Sequence, residues 1–149
     1  MGLVSWVFVS YLAAAVGSAA GDPAAYYQEL RAPPGAPPGW LFGPVWGVLY
    51  ALLGLAAWLV WLRRGARGVR AAIRLFWLQL VLNAAWPWLF FGRESPSLGL
   101  VGILALLGLV AATVIWFWRV RGDAGALLLP YLAWVGFAAY LNAGFWWLN

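Results

Sequence analysis

The sequence predicts an all-α membrane protein, a bundle of five transmembrane helices. Three observations carry that expectation. The chain is 66% hydrophobic and only 9% charged; its mean hydropathy is +0.86; and its apolar residues gather in continuous runs of about 20, the length that crosses a bilayer as a helix. Soluble domains are about half apolar and about a quarter charged, so a soluble fold would have no means of hiding this much apolar surface. A β-barrel also satisfies every backbone group in lipid, but its strands alternate over about ten residues. The chain of 149 residues accommodates five spans with short connections. It reads as a single membrane domain over residues 1–149, with function confined to the bundle and its loops.

The runs follow in order. The first, residues 2–20, ends in small residues as a signal peptide does. Its start, Met1-Gly2-Leu3-Val4-Ser5, lacks a positive n-region, so it reads as a retained helix. Residues 21–39 are rich in proline and glycine and read as a long loop. The second run, 40–62, stops at Arg63 and Arg64; the third spans 71–92, the fourth 97–118 and the fifth 126–148. Arg63, Arg64, Arg67, Arg70, Arg74, Arg119 and Arg121 fall on one side of these spans, and only Arg31 and Arg93 on the other. That bias places the N-terminus and the loops 63–70 and 119–125 in the cytoplasm, with the loop 21–39 and the C-terminus opposite.

Absences narrow the function. The chain has no histidine and no cysteine, which removes imidazole and thiolate metal ligands, disulfides, thiol nucleophiles and the commonest general base. No metal site and no resident cofactor is expected. The net charge of +5 suggests nucleic acid at first sight, but arginines beside hydrophobic runs are explained by topology, and no nucleic-acid partner is expected. No Asp, Glu or Arg lies mid-span, which argues against a proton-coupled pump.

What the spans do carry is tryptophan, thirteen in all. Trp6, Trp40, Trp61, Trp118, Trp146 and Trp147 lie near helix ends, where interfacial anchors sit. Trp46, Trp86 and Trp134 lie farther in. On the third helix Gln79, Asn83, Trp86 and Phe90 share a face, as do Trp46, Tyr50, Leu53 and Ala57 on the second, and Tyr131, Trp134, Ala138, Leu141, Asn142 and Phe145 on the fifth. Two readings of these stripes stand. One is helix packing, with amides bonding between helices and the small pairs Gly43/Gly47, Gly108/Ala112 and Ala139/Ala143 permitting close contact. The other is a pocket for a flat, largely apolar ligand. Pattern alone leaves both open.

Three segments add a resemblance. Pro37-Pro38-Gly39-Trp40-Leu41-Phe42-Gly43-Pro44-Val45-Trp46-Gly47-Val48-Leu49-Tyr50 resembles the start of the second helix of the translocator protein / tryptophan-rich sensory protein (TspO/MBR, peripheral benzodiazepine receptor) family. Gln79-Leu80-Val81-Leu82-Asn83-Ala84-Ala85-Trp86-Pro87 with Phe90-Phe91-Gly92 is similar to its third helix, and the stretch from Pro130 to Asn142 to its fifth. The chain is identified in this way as a bacterial member, and the similarity covers it in the right order and spacing.

The resemblance implies a five-helix bundle, commonly a homodimer, that binds porphyrins such as protoporphyrin IX, sterols in some members, and synthetic isoquinoline carboxamide or benzodiazepine ligands beneath the first loop. It assigns Trp46, Asn83, Trp86, Trp134, Ala138 and Leu141 to the pocket, joined on their shared faces by Tyr50, Phe90, Tyr131 and Asn142. Val16 and Ala19, and Leu98 and Val101, extend the wall. Gly99, Gly102 and Gly108 offer a close-approach face for a dimer. The first loop departs from the family: Tyr26-Tyr27 and Leu30 are present, but Ala32-Pro33-Pro34-Gly35 replaces a lysine and a tryptophan, which weakens the expectation for anionic ligands. No basic residue follows Arg121, so Tyr140 does not complete a sterol motif. With no histidine or cysteine and only Met1, a metal-free porphyrin is expected over an iron one. Three functions are consistent: a binding sensor or regulator of tetrapyrrole metabolism, foremost; a porphyrin or sterol transporter; and light-dependent porphyrin degradation, in which Trp46 and Trp134 would take part because no conventional base or nucleophile is present.

Overall fold

Proline, glycine and one serine cap decide where the helices begin and end in the computed structural model, which describes residues 1–20 and 23–149. Among these residues every regular element is helical. α1 (Leu3–Ser18) closes with the Ala19 and Ala20 amides donating to Val16 and Gly17 carbonyls. α2 (Pro23–Glu29) opens on proline, whose missing N–H is an orphan at that position anyway. α3 (Phe42–Trp61) is entered through a 3-10 turn at Gly39–Leu41. α4 (Val69–Pro87) follows Gly68, whose φ of 84° is a left-handed conformation that glycine adopts without strain. Pro87 ends the α ladder, and the chain continues as a π turn over Trp88–Gly92, with the Arg93 amide reaching Trp88 O at 2.9 Å. α5 (Pro96–Val120) is capped by Ser95, which accepts from the Leu98 amide at 3.2 Å. α6 (Gly122–Leu127) and α7 (Leu129–Leu148) are separated only at Leu128, because Pro130 has no N–H to continue the ladder.

Four helical stretches among the described residues are long and apolar enough to cross a membrane: Gly39–Trp61, Val69–Gly92, Pro96–Val120 and Gly122–Leu148. The first run forms a helix shorter than its apolar sequence suggests. α1 has 16 residues, about 24 Å at 1.5 Å each. Two stretches expected to be loops contain helix. α2 interrupts residues 21–39, whose Gly21 and Asp22 lie outside the described residues, and α6 begins inside 119–125. Arg121 bridges α5 and α6 in extended conformation and donates from Nε to Asp123 Oδ1 at 2.7 Å.

Neighbouring helices form a ring: α1 lies against α3 and α4, α4 against α5, α5 against α7, and α6 closes the circle on α3. Without a hydrophobic drive between helices in lipid, association rests on close packing and interhelical hydrogen bonds. A very close approach is made at Gly54, where a Cβ would stand 2.5 Å from the Val7 Cα. Beside it Trp6, expected at the interface, is instead 1% exposed, its ring 5.8 Å from Trp61, 5.6 Å from Phe76 and 5.7 Å from Trp77. Trp40, Trp118, Trp146 and Trp147 are exposed, as anchors should be.

The glycines also divide differently from expectation. A Cβ added at Gly43, Gly47 or Gly108 would meet nothing within 4 Å among the described residues, so none of the three is a point of close approach between helices of the same chain. Gly99 and Gly102 are filled from within the chain, by Phe90 and Leu89, and so offer no dimer face. Gly54→Val should therefore destabilise the bundle by about 1–3 kcal/mol, whereas Gly47→Ala should leave the thermal midpoint in detergent nearly unchanged; circular dichroism melts of the two variants check this.

Candidate ligand cavity

The upper half of the ring is not filled. Between α1, α3, α4, α5 and α7 lies a cavity of about 540 Å³, within the range of about 300–1,000 Å³ usual for ligand pockets. Local backbone chemistry shapes each wall. On α3 the i, i+4 spacing turns Trp46 and Tyr50 inward, and Gly43 and Gly47, lacking side chains, leave the space beside them open. On α4 Asn83 and Trp86 point the same way, and the π turn after Pro87 carries Phe90 and Phe91 into the roof. α7 supplies Trp134, Ala138, Leu141 and Asn142.

Of the ten residues expected to bind ligand, nine line this cavity; Tyr131 does not. It lies 1% exposed behind the wall, its ring 6.2 Å from that of Trp46. The α1 and α5 assignments require correction. Val16 and Ala19 face outward, and Leu98 and Val101 are exposed. The walls are Tyr11, Ala14, Gly17 and Ser18 on α1, and Ile103 and Leu106 on α5. The stripe on α5 has a weak periodic signal because that helix is apolar all round, so the inward face is set by its neighbours.

Two hydrogen-bond systems tie the walls together. In the first, the Tyr50 hydroxyl donates to Asn83 Oδ1, Asn83 Nδ2 donates to Tyr131 Oη at 2.7 Å, Tyr131 Oη donates to Gln79 Oε1 at 2.7 Å, and Gln79 Nε2 donates to the Phe76 carbonyl at 3.0 Å. In the second, Trp86 Nε1 donates to Gly99 O at 3.0 Å and Asn142 Oδ1 at 3.2 Å, while Asn142 Nδ2 donates to Pro96 O at 2.9 Å. The Asn83 and Asn142 amides thus serve packing and line the cavity at once. One lining group is left over: Trp134 Nε1 is buried without a partner among the described residues. Its ring stands edge-on to Phe42 at 5.8 Å and tilted to Phe137 at 5.6 Å. A buried orphan donor costs about 1–3 kcal/mol.

Above the cavity, α2 and residues 30–38 form a lid. Tyr27 donates to Pro37 O at 2.6 Å and packs edge-on against Phe42 and Phe145 at 5.4 and 5.5 Å. Tyr26 meets Phe90 at 5.7 Å. Burial raises both phenols above their ordinary range, Tyr26 further by Glu94 and Glu29, so they stay neutral over the cavity. Pro33 and Pro34 dock on α7: Tyr140 donates to Pro34 O at 2.7 Å, and Pro33 packs so closely on Gly144 that a Cβ there would collide with the proline ring. Arg31 and Asn149 exchange two hydrogen bonds at 3.1 Å. Gly144→Val should therefore push the lid off and speed tryptic cleavage at Arg31 severalfold while the bundle stays folded, a result read by timed digestion.

Residues 4–148 match the model of the TspO/MBR family. The human translocator protein is 40% identical over 128 residues, covering 85% of this chain and 76% of its own. The tryptophan-rich protein TspO of Chlorobaculum tepidum is 43% identical over 121 residues, 78% of this chain and 75% of its own. Protein CrtK of Rhodobacter capsulatus is 33% identical over 143 residues, 95% and 89% respectively. With a family match that leaves out only the terminal residues and a cavity built from the matching segments, this chain belongs to the TspO/MBR family.

Proposed function

We propose that this protein is a membrane-embedded receptor for flat tetrapyrroles of the protoporphyrin IX type, acting as a sensor or regulator of tetrapyrrole metabolism. The observation that carries the reading is the cavity itself, about 540 Å³ with Trp46, Trp86 and Trp134 on separate walls. Large aromatic faces hold a macrocycle by stacking and dispersion, and a small turn of the Trp134 ring would bring its buried, unpartnered Nε1 to a polar edge. Among the described residues no basic side chain lines the cavity, so the ligand's anionic groups belong at the lid, toward water. The metal-free form suits the wall better than an iron form. Tyr50 and Tyr131 have their hydroxyls committed to the hydrogen-bond chain, and Tyr140 is held by Pro34.

In this reading α1 crosses with the four longer spans, the arginine-rich loops face the cytoplasm, the lid faces the opposite side, and two copies associate in the membrane. The lid and the open Gly43–Gly47 side of α3 support a second reading, movement of the ligand between bilayer and cavity. Trp46 and Trp134 on the cavity wall support a third, photo-oxidation of bound porphyrin by light and dioxygen.

Purified protein in detergent should quench protoporphyrin IX fluorescence and lose tryptophan emission in a saturable manner; no change in either signal would remove the receptor reading. Trp134→Phe should weaken that binding about three- to tenfold through loss of one hydrogen bond. If a Trp46→Phe, Trp134→Phe double variant consumes bound porphyrin under illumination as fast as the parent, the photochemical reading fails.

A further inference from the structure

The chain from Tyr50 to Phe76 has a direction, and the direction can be read from one end. A backbone carbonyl only accepts, so the Gln79 atom facing Phe76 O at 3.0 Å is the amide nitrogen. Gln79 Oε1 then faces Tyr131, whose O–H must donate to it. With its only proton committed, Tyr131 Oη accepts from Asn83, which fixes the amide with Nδ2 toward Tyr131 and Oδ1 toward Tyr50. The Tyr50 O–H is therefore committed to Asn83, and what Tyr50 has left for a ligand is an oxygen lone pair.

We infer that Tyr131, held by Gln79 behind the cavity wall, is a positioning residue: it sets the orientation of the Asn83 amide and so makes Tyr50 a hydrogen-bond acceptor toward the ligand. Opposite polarity comes from the lining residue Trp134, whose buried Nε1 has no partner among the described residues and reaches a ligand by a small turn of the ring. The ligand class that satisfies both carries an N–H or O–H donor and a separate acceptor on one flat apolar frame, as pyrrole- and amide-containing ring systems do. This deepens the receptor reading and rests on it for the ligand, but the orientation itself does not.

Without an acceptor at position 131 the amide is free to turn over, donate from Nδ2 to Tyr50, and release the Tyr50 O–H to the cavity. Three tricycles of one shape report which group Tyr50 presents: carbazole has an N–H, fluorenone a carbonyl, and fluorene neither. Measured by tryptophan quenching, the parent should bind carbazole about three- to tenfold more tightly than fluorene. In Tyr131→Phe that ratio should fall toward one and the fluorenone-to-fluorene ratio should rise by a similar factor. Equal weakening of all three would mean that Tyr131 only packs, and would overturn the inference.

A ligand-free readout accompanies it. The chain has three asparagines, Asn83, Asn142 and Asn149, so asparagine-selective 15N labelling resolves the Asn83 side-chain amide, assigned by its loss in Asn83→Leu. Its two proton resonances should shift in Tyr131→Phe while those of Asn142 stay; an unchanged Asn83 pair is the other result that overturns the inference. Gln79→Met removes the anchor of the chain and carries the same test if Tyr131→Phe does not fold. Parent protein that ignores protoporphyrin IX yet shows the Asn83 shift would retire the receptor reading and keep the orientation.

Discussion

A polar group taken into a membrane bundle costs free energy unless it finds its partner there, and the hydrogen-bond chain from Tyr50 through Asn83 and Tyr131 to Gln79 is where this protein meets that constraint. It joins α3, α4 and α7 with side chains that are all buried. Interhelical bonds of this kind contribute about 0.6 kcal/mol on average and up to about 2, modest singly, but each holds its neighbour in place. Removing a link leaves two groups unsatisfied in a medium with no water to replace it, so geometry near the chain is far more constrained than geometry elsewhere in the ring.

The cavity is the complement of that chain. Below Asn83 and Tyr50 the bundle is filled by Trp6, Phe76, Phe117 and Leu53, each under 2% exposed. Above them the small residues Gly43, Gly47 and Ala138 leave space between the walls instead of drawing them together. The same residue type therefore does opposite work at two heights: Gly54 lets α1 and α3 touch, and Gly47, two turns earlier, keeps space open. The lid roofs part of the crevice by docking prolines on α7.

Much of this was legible in the sequence. Continuous apolar runs gave the helices, and the spacing of Gln79, Asn83, Trp86 and Phe90 gave a face that the structure buries or turns into the cavity. Periodicity shows that residues share a face, but it does not say what stands opposite. Hence Trp6, near a helix end by position, became core because α1 packs low against α3 and α4. Gly43 and Gly47 matched a contact motif that a void satisfies equally well. On α5, apolar on every side, Leu98 and Val101 were indistinguishable from Ile103 and Leu106 until the neighbouring helices were in place. α2 was hidden because proline content signals a turn as readily as a helix start.

The brevity of α1 bears on the bilayer as much as on the protein. A helix of about 24 Å set into a hydrocarbon layer of about 30 Å leaves roughly 6 Å to be made up, and lipid deforms more easily than a packed bundle. For α1 to cross as proposed, the acyl chains beside it must shorten or splay, so that one flank of the ring sits in a locally thinned annulus while the opposite flank, with α5 and α7, does not. A thinner membrane would accept this protein with less distortion, and in a thicker one the pinch would draw partners or particular lipids to that flank.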